Sequence, residues 1–196
     1  MTQLRRCKWV GNDPIYREYH DKEWGVPVYD SITLFAKLCL DGQQAGLSWI
    51  TILKKKANYE DAFYHFDPFK IAKMSEADIE VQMQNKGIVR NRLKINSIVK
   101  NAKAYIAMQQ TGEDFSDFIW QFVDHKVVVN EWTNDEQVPT STQQSDAMAK
   151  ALKKRGFSFV GTTICYAFMQ AVGLVNDHTT DCHCYQACKD LNSPEP

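Results

Sequence analysis

No stretch of the 196-residue chain approaches the ~20 consecutive apolar residues that span a bilayer. The segment from Met1 to Cys7 is polar and lacks the apolar core of a signal peptide. There is no internal repeat and no low-complexity tract, which excludes solenoids and fibrous classes. Nor is there an excess of one charge: 23 basic against 24 acidic residues leave a net of −1. A dedicated nucleic-acid binder usually carries a basic excess, so the totals argue against DNA unless the charges are segregated. What is present is an ordinary globular balance, 44% hydrophobic and 24% charged. A soluble, cytoplasmic protein is expected. No oligomerisation signal stands out, so a monomer is expected too.

The dominant period is helical, and the chain reads as all-α with short connections. Asp13-Pro14 opens a helix carrying Tyr16, Tyr19 and His20. Ser31 is expected to cap a second helix. A third is expected over about 45–64, with Leu47, Ile50 and Leu53 inward. Asp67-Pro68 breaks the pattern. Ser75 and Asp78 form a capping box before a short helix that ends near Lys86-Gly87, and a long helix with Ile95, Ile98, Ala102 and Tyr105 on one face follows. Further helices are expected over 118–123, 145–155 and 162–172. Val127 to Val129 could form a short strand, but nothing obvious pairs with it.

The charges are in fact segregated. Residues 81–112 contain no acid and six bases, Lys86, Arg90, Arg92, Lys94, Lys100 and Lys103, while residues 113–136 carry seven acids against Lys126 alone. A short helix, a glycine-centred turn and a basic helix form the layout of a helix-hairpin-helix element. Its glycine allows close backbone approach to a phosphate, and the second helix's free N–H groups favour an anion. The competing reading is two packed helices with a solvated basic face, and Lys54 to Lys56 reads that way. Lys150, Lys153, Lys154 and Arg155 make a second cluster, either a backbone contact or plain surface.

Cys39 and Cys165 sit in apolar helical patterns and read as core. Cys7 and His20 near one end, with His178 and Cys182 near the other, make an S2N2 set suited to tetrahedral zinc. With four protein ligands the ion would be structural, one per chain, joining the two ends. His183, Cys184 and Cys188 compete as ligands, and free thiols on a mobile tail are the alternative. Trp9, Tyr16, Tyr19 and Trp24 crowd the first 24 residues. The run from Leu40 to Trp49 mixes Asp41, two glutamines and two glycines with tryptophan, and reads as a loop leading into a helix. Polar groups among aromatics suit a pocket for a flat polar ligand, against the plainer reading of an aromatic core.

At this point the chain resembles the bacterial 3-methyladenine DNA glycosylase I family, a branch of the helix-hairpin-helix glycosylases, over about 7–185. The resemblance is carried by Cys7-Lys8-Trp9, the run from Tyr19 to Pro27, Gly42 to Trp49, Lys153 to Phe157, Phe159 to Tyr166 and Gly173 to His178. It implies hydrolysis of the N-glycosidic bond of 3-methyladenine in alkylated double-stranded DNA, releasing the free base without cutting the strand. A base pocket is implied at Trp9, Tyr16, Tyr19, Trp24, Asp41, Gln44 and Trp49, with Asp41 and Tyr19 closest to the chemistry. Gly46 and Leu47 would press on the DNA. Lys86, Gly87, Ile88 and Arg90 would form the hairpin contact, and Cys7, His20, His178 and Cys182 the zinc site. One glycosylase module over 5–188 is implied, with the hairpin at 75–106, a zinc-linked subdomain from 1–25 and 160–188, and a tail at 189–196. The family usually has glutamate where this chain has Asp41, which is shorter by one methylene, about 1.5 Å. A non-catalytic protein that binds alkylated or distorted DNA is the competing functional reading.

Overall fold

The computed structural model describes residues 4–191, so the first three residues and most of the expected 189–196 tail lie outside the described residues. Eleven α-helices appear among the described residues: α1 (Pro14–Lys22), α2 (Ser31–Gln43), α3 (Trp49–Leu53), α4 (Lys56–Ala62), α5 (Pro68–Ile71), α6 (Glu76–Gln84), α7 (Arg92–Gln110), α8 (Phe115–Trp120), α9 (Gln143–Lys154), α10 (Thr162–Ala171) and α11 (His183–Asp190). Their ends follow local chemistry. Asp13 accepts from the Ile15 N–H with Pro14 at the first helical position, and Asp67-Pro68 repeats the device. The Ser75–Asp78 capping box closes in both directions. Gly156 follows α9 with φ +92°, a conformation that disfavours a side chain.

The helices pack around α2, α7 and α10. Leu34, Phe35, Leu38, Ile95, Ile98, Ala102, Cys165 and Phe168 are completely enclosed, and each large side chain among them contributes about 1.5–3 kcal/mol by leaving water. A smaller cluster joins the two ends of the chain through Cys7, Val10, Tyr19, Trp24, Ala171, Cys182 and Cys184. No helix among the described residues is long and apolar enough to cross a membrane.

Four expectations need correction. The α2 cap is Asp30, which accepts from the Thr33 N–H at 2.7 Å, while Ser31 Oγ accepts from the Ser116 N–H of α8. Asp41, Gly42 and Gln43 are not a loop but the last turn of α2. Their polarity is absorbed there: Asp41 meets Lys37, Gln43 donates to the Lys94 carbonyl, and Gly42 lets Phe159 approach where a Cβ would lie 3.2 Å from it. The single helix expected over 45–64 is two, α3 and α4, broken at Lys54-Lys55 without a glycine or proline to mark the place, and Leu47, expected inward, precedes α3 and is exposed. Finally, the valine strand has a partner. Val128–Val129 (β1) pairs in parallel with Val175–Asn176 (β2), a segment too short to show alternation.

Candidate active site

The C-terminal turn of α2 is the joint of the site. Asp41 and Gln44 face a cavity of about 370 Å³ on one side. On the other side Gln43 is fully buried against the start of α7, where the Lys94 ammonium donates to the Gln43 and Ala45 carbonyls at 2.8 and 2.6 Å. The Tyr59 hydroxyl donates to Gln43 Oε1 and accepts from the Val89 N–H, and burial pushes Tyr59 up to about 12. Cavity and interhelical turn are therefore fixed to the same four residues.

The seven pocket side chains expected from the sequence, Trp9, Tyr16, Tyr19, Trp24, Asp41, Gln44 and Trp49, all line this one cavity. Trp9 meets Tyr16 and Trp24 edge-on at 4.9 and 5.1 Å, and Tyr19 tilts against Trp49 at 5.6 Å. Asp41 is 2% exposed. Its Oδ1 receives Lys37 Nζ at 2.5 Å, but Oδ2 is buried with no partner, and so is the Trp49 indole N–H. Buried polar groups without partners are uncommon, and here an acceptor and a donor await a ligand in one cavity. Burial raises Asp41, and only Lys37 opposes it; burial likewise lowers Lys37. Tyr19 is raised by burial first and by the Asp41 charge second.

Gly46 and Leu47 stand exposed in the turn between Gln44 and Trp49. Gly46 has φ +75° with open space around it, and Leu47 is an exposed apolar side chain. The turn 85–91 between α6 and α7 is held from behind by α4: Asn58 Nδ2 and Lys55 Nζ donate to the Gly87 carbonyl. A Cβ on Gly87 would lie 3.0 Å from the Asn58 and Asn85 side chains, so a larger residue here would press on both. Lys86 and Arg90 are exposed, while the Ile88 side chain is buried and its N–H donates to the Asn85 carbonyl at 3.4 Å.

The six-base run is weaker than its count. Lys94 is buried as a cap for α2, and the exposed Arg92 pairs with Glu80 and Glu76, which leaves Lys86, Arg90, Lys100 and Lys103 as the exposed bases of the run outside any ion pair. Arg155 pairs with Glu113 and lies over Phe118. The lysines read as a solvated face are engaged as well: Lys54 with Asp13, Lys56 with Glu23, and Lys55 with the turn carbonyls.

Behind the aromatic wall, one donor atom each from Cys7, His20, His178 and Cys182 lies within 4.8 Å of the others, all from buried residues. Both imidazoles are oriented for ligation. His178 Nε2 donates to the Trp24 carbonyl at 3.0 Å, leaving Nδ1 toward the Cys7 and Cys182 sulfurs at 3.6 and 3.5 Å. His20 Nδ1 meets Asp21 at 2.8 Å, leaving Nε2 3.5 Å from Cys182 Sγ. A second group, His20, Asp21, His183 and Cys184, shares His20, but its Asp21 carboxylate is already held by Arg6.

A family model described as methyladenine glycosylase matches residues 9–185. The chain belongs to that family. It is 62% identical over 179 residues to a DNA-3-methyladenine glycosylase of Haemophilus influenzae, a match covering 91% of this chain and 97% of the relative. It is 58% identical to DNA-3-methyladenine glycosylase 1 of Escherichia coli, covering 95% and 100%. Among solved structures, a crystal structure of 3-methyladenine DNA glycosylase I superposes with TM-score 0.92 at 59% identity, covering 92% of this chain and all of the other. The Staphylococcus aureus 3-methyladenine DNA glycosylase I, solved for its recognition of 3-methyladenine, gives 0.89 at 37%, covering 98% and 99%.

Several residues of the cavity carry no signal in the sequence. The far wall of the cavity comes from Thr163, Tyr166 and Gln170 of α10, and its rim from Val138, Pro139 and Thr140. Asp177 fixes that wall. Its Oδ1 accepts from Asn130 and Trp132 at 2.7 and 2.8 Å, and its Oδ2 from Tyr166 and Gln170 at 2.6 and 2.9 Å. The missed signal for Lys37 was its place four residues before Asp41, on the same helix face.

Proposed function

We propose that this chain hydrolyses the N-glycosidic bond of 3-methyladenine in alkylated DNA, the activity its relatives are named for, and that the cavity beside Asp41 receives the flipped base. The observation that carries the reading is the pair of unpartnered buried atoms, Asp41 Oδ2 and Trp49 Nε1, in an aromatic cavity of about 370 Å³. A methylated purine offers a flat ring for stacking and N–H groups for a carboxylate. An enzyme acting on a base in a duplex must extrude it, and a poorly pairing lesion costs less to extrude.

The methyl group at N3 makes the attached ring cationic, and the base leaves neutral, so departure needs little acid catalysis. Trp49 stacks the base, and Asp41 accepts from it. Water attacks the oxocarbenium-like sugar carbon as the C–N bond breaks, the bond's electrons going to the base. The lysine at the pocket, Lys37, is held as an ammonium by Asp41, so no Schiff base is assigned to it and strand cleavage is not part of the proposed reaction. The segment 75–106 acts as a helix-hairpin-helix contact to the phosphate backbone through Lys86 to Arg90, with Gly46-Leu47 against the gap in the stack. Four exposed bases outside any ion pair, rather than six, predict modest non-specific affinity.

The Cys7, His20, His178 and Cys182 set fits a structural Zn²⁺. Two thiols and two pre-oriented imidazoles match tetrahedral coordination and leave no position open for substrate. The decisive assay is release of free base from methylated duplex DNA, with unmodified DNA beside it. Released 3-methyladenine with intact strands is expected. Binding to methylated DNA without release would replace catalysis by a damage-binding role, and neither binding nor release would sink both.

A further inference from the structure

The mechanism above gives Lys37 no role, yet this side chain touches both groups that wait for the base. Its Nζ is 2.5 Å from Asp41 Oδ1 and 3.8 Å from the centroid of the Trp49 ring. Lys37 and Asp41 are one helical turn apart on α2, and their side chains are 14% and 2% exposed. Because the ammonium occupies Oδ1, only Oδ2 is left without a partner. Because it covers one face of the indole, that face is closed to stacking.

We propose that Lys37 is a positioning residue of the base pocket: it turns the short Asp41 carboxylate so that Oδ2 alone meets the base, and it confines stacking to the open face of Trp49. The inference rests on the base-pocket reading given under Proposed function. The physical basis is the isolation of the pair. A buried carboxylate without a cation takes up a proton, and a protonated Asp41 no longer presents a free acceptor of the same strength.

No other group around the pair supplies that cation. From the α1 side come Tyr16, Tyr19 and Glu23, from α4 Lys56, and from α10 Cys165. Lys56 is held by Glu23. Asp177 lines the same cavity, but both its oxygens are occupied. Among the described residues, Lys37 alone forms an ion pair with Asp41.

The test uses the full chain, free 3-methyladenine as the probe, and quenching of tryptophan fluorescence from about pH 6.5 to about pH 9. Lys37→Met keeps the aliphatic stem and removes the charge. Its affinity should fall about tenfold below wild type at the acid end and approach wild type as pH rises, an acid limb moved up by about one unit. Titration of the free base itself is common to all variants, so only the difference counts. Lys37→Arg, which keeps the cation, should follow the wild-type profile. A Lys37→Met loss that is the same at every pH would reduce Lys37 to packing and overturn the proposal. Thermal melts check folding, and Lys37→Gln takes the place of Lys37→Met if the latter does not fold. Asp41→Asn separates the two claims. If it binds like wild type, the pocket reading fails. If it binds weakly while Lys37→Met keeps the wild-type pH profile, only the role of Lys37 fails.

Discussion

Replacing Asp177 by alanine removes the acceptor for four hydrogen bonds, from Asn130, Trp132, Tyr166 and Gln170. Bonds to a charged group contribute about 1.5–3 kcal/mol each, but the losses do not add. Asn130, Trp132 and Gln170 are part-buried in these bonds and can regain water, whereas the Tyr166 hydroxyl is buried and stays stranded. The net cost is then about 3–5 kcal/mol. For a chain of this size that lowers the melting temperature by about 10 °C. Asp177→Asn should cost about 1–2 kcal/mol, because its amide oxygen still accepts from the Trp132 N–H, which can only donate. The two variants also differ in function. Asn130 and Trp132 lead into the cavity rim at Val138 to Thr140, so alanine loosens the rim and weakens binding of 3-methyladenine, while asparagine largely preserves it. Thermal denaturation and base-induced fluorescence quenching, run on both variants, check this. An alanine variant that melts within about 2 °C of wild type would refute the argument that Asp177 holds the wall.

Trp49→Ala should weaken binding of 3-methyladenine by about tenfold or more, since base–aromatic stacking is worth about 1–3 kcal/mol; unchanged affinity in a direct titration would remove Trp49 as the platform. One equivalent of zinc should be found by elemental analysis of the purified protein, and a chelator should lower its melting temperature, while Cys182→Ala should lose both metal and stability; a folded, metal-bearing Cys182→Ala without turnover would point to a catalytic ion instead. Lys86→Ala with Arg90→Ala should weaken binding to any duplex alike and flatten the salt dependence by about two counterions, whereas a loss restricted to methylated DNA would argue against backbone contacts.

What could be read from the sequence was what is decided within a few residues or by rare residue types. Asp13-Pro14, Ser75 with Asp78, and Gly156 mark their helix ends because caps act over three positions. Cys7, His20, His178 and Cys182 stand out because cysteine and histidine are rare in the chain and gather near its two ends, though His183, Cys184 and Cys188 gather there too. Seven aromatic and polar side chains named for the pocket share one cavity. Lys94 misled because a lysine in an acid-free run looks like surface, while its role as a buried cap depends on carbonyls some fifty residues earlier. Asp41 misled for the same reason: in a helix whose neighbours are unknown, a buried acid beside glycine looks like a loop, and only Lys37 and Phe159 show otherwise. The β1–β2 pairing joins two dipeptides far apart in the chain, below the length at which alternation carries information.

The joining of the two ends has a bearing on how the protein is made. One wall of the cavity, Trp9 to Trp24, leaves the ribosome first, and the opposite wall, Thr163 to Ala171, among the last. The Gly25 N–H already ties them together by donating to the Gln170 carbonyl at 3.1 Å, and further contacts come later still, through His178, Cys182 and the His183 N–H that donates to the Arg5 carbonyl at 2.9 Å. A chain that stops before Thr163 has the aromatic half of a pocket and no opposite wall. The proposed base pocket therefore needs both walls, and two fragments cut near the middle should bind 3-methyladenine only when mixed.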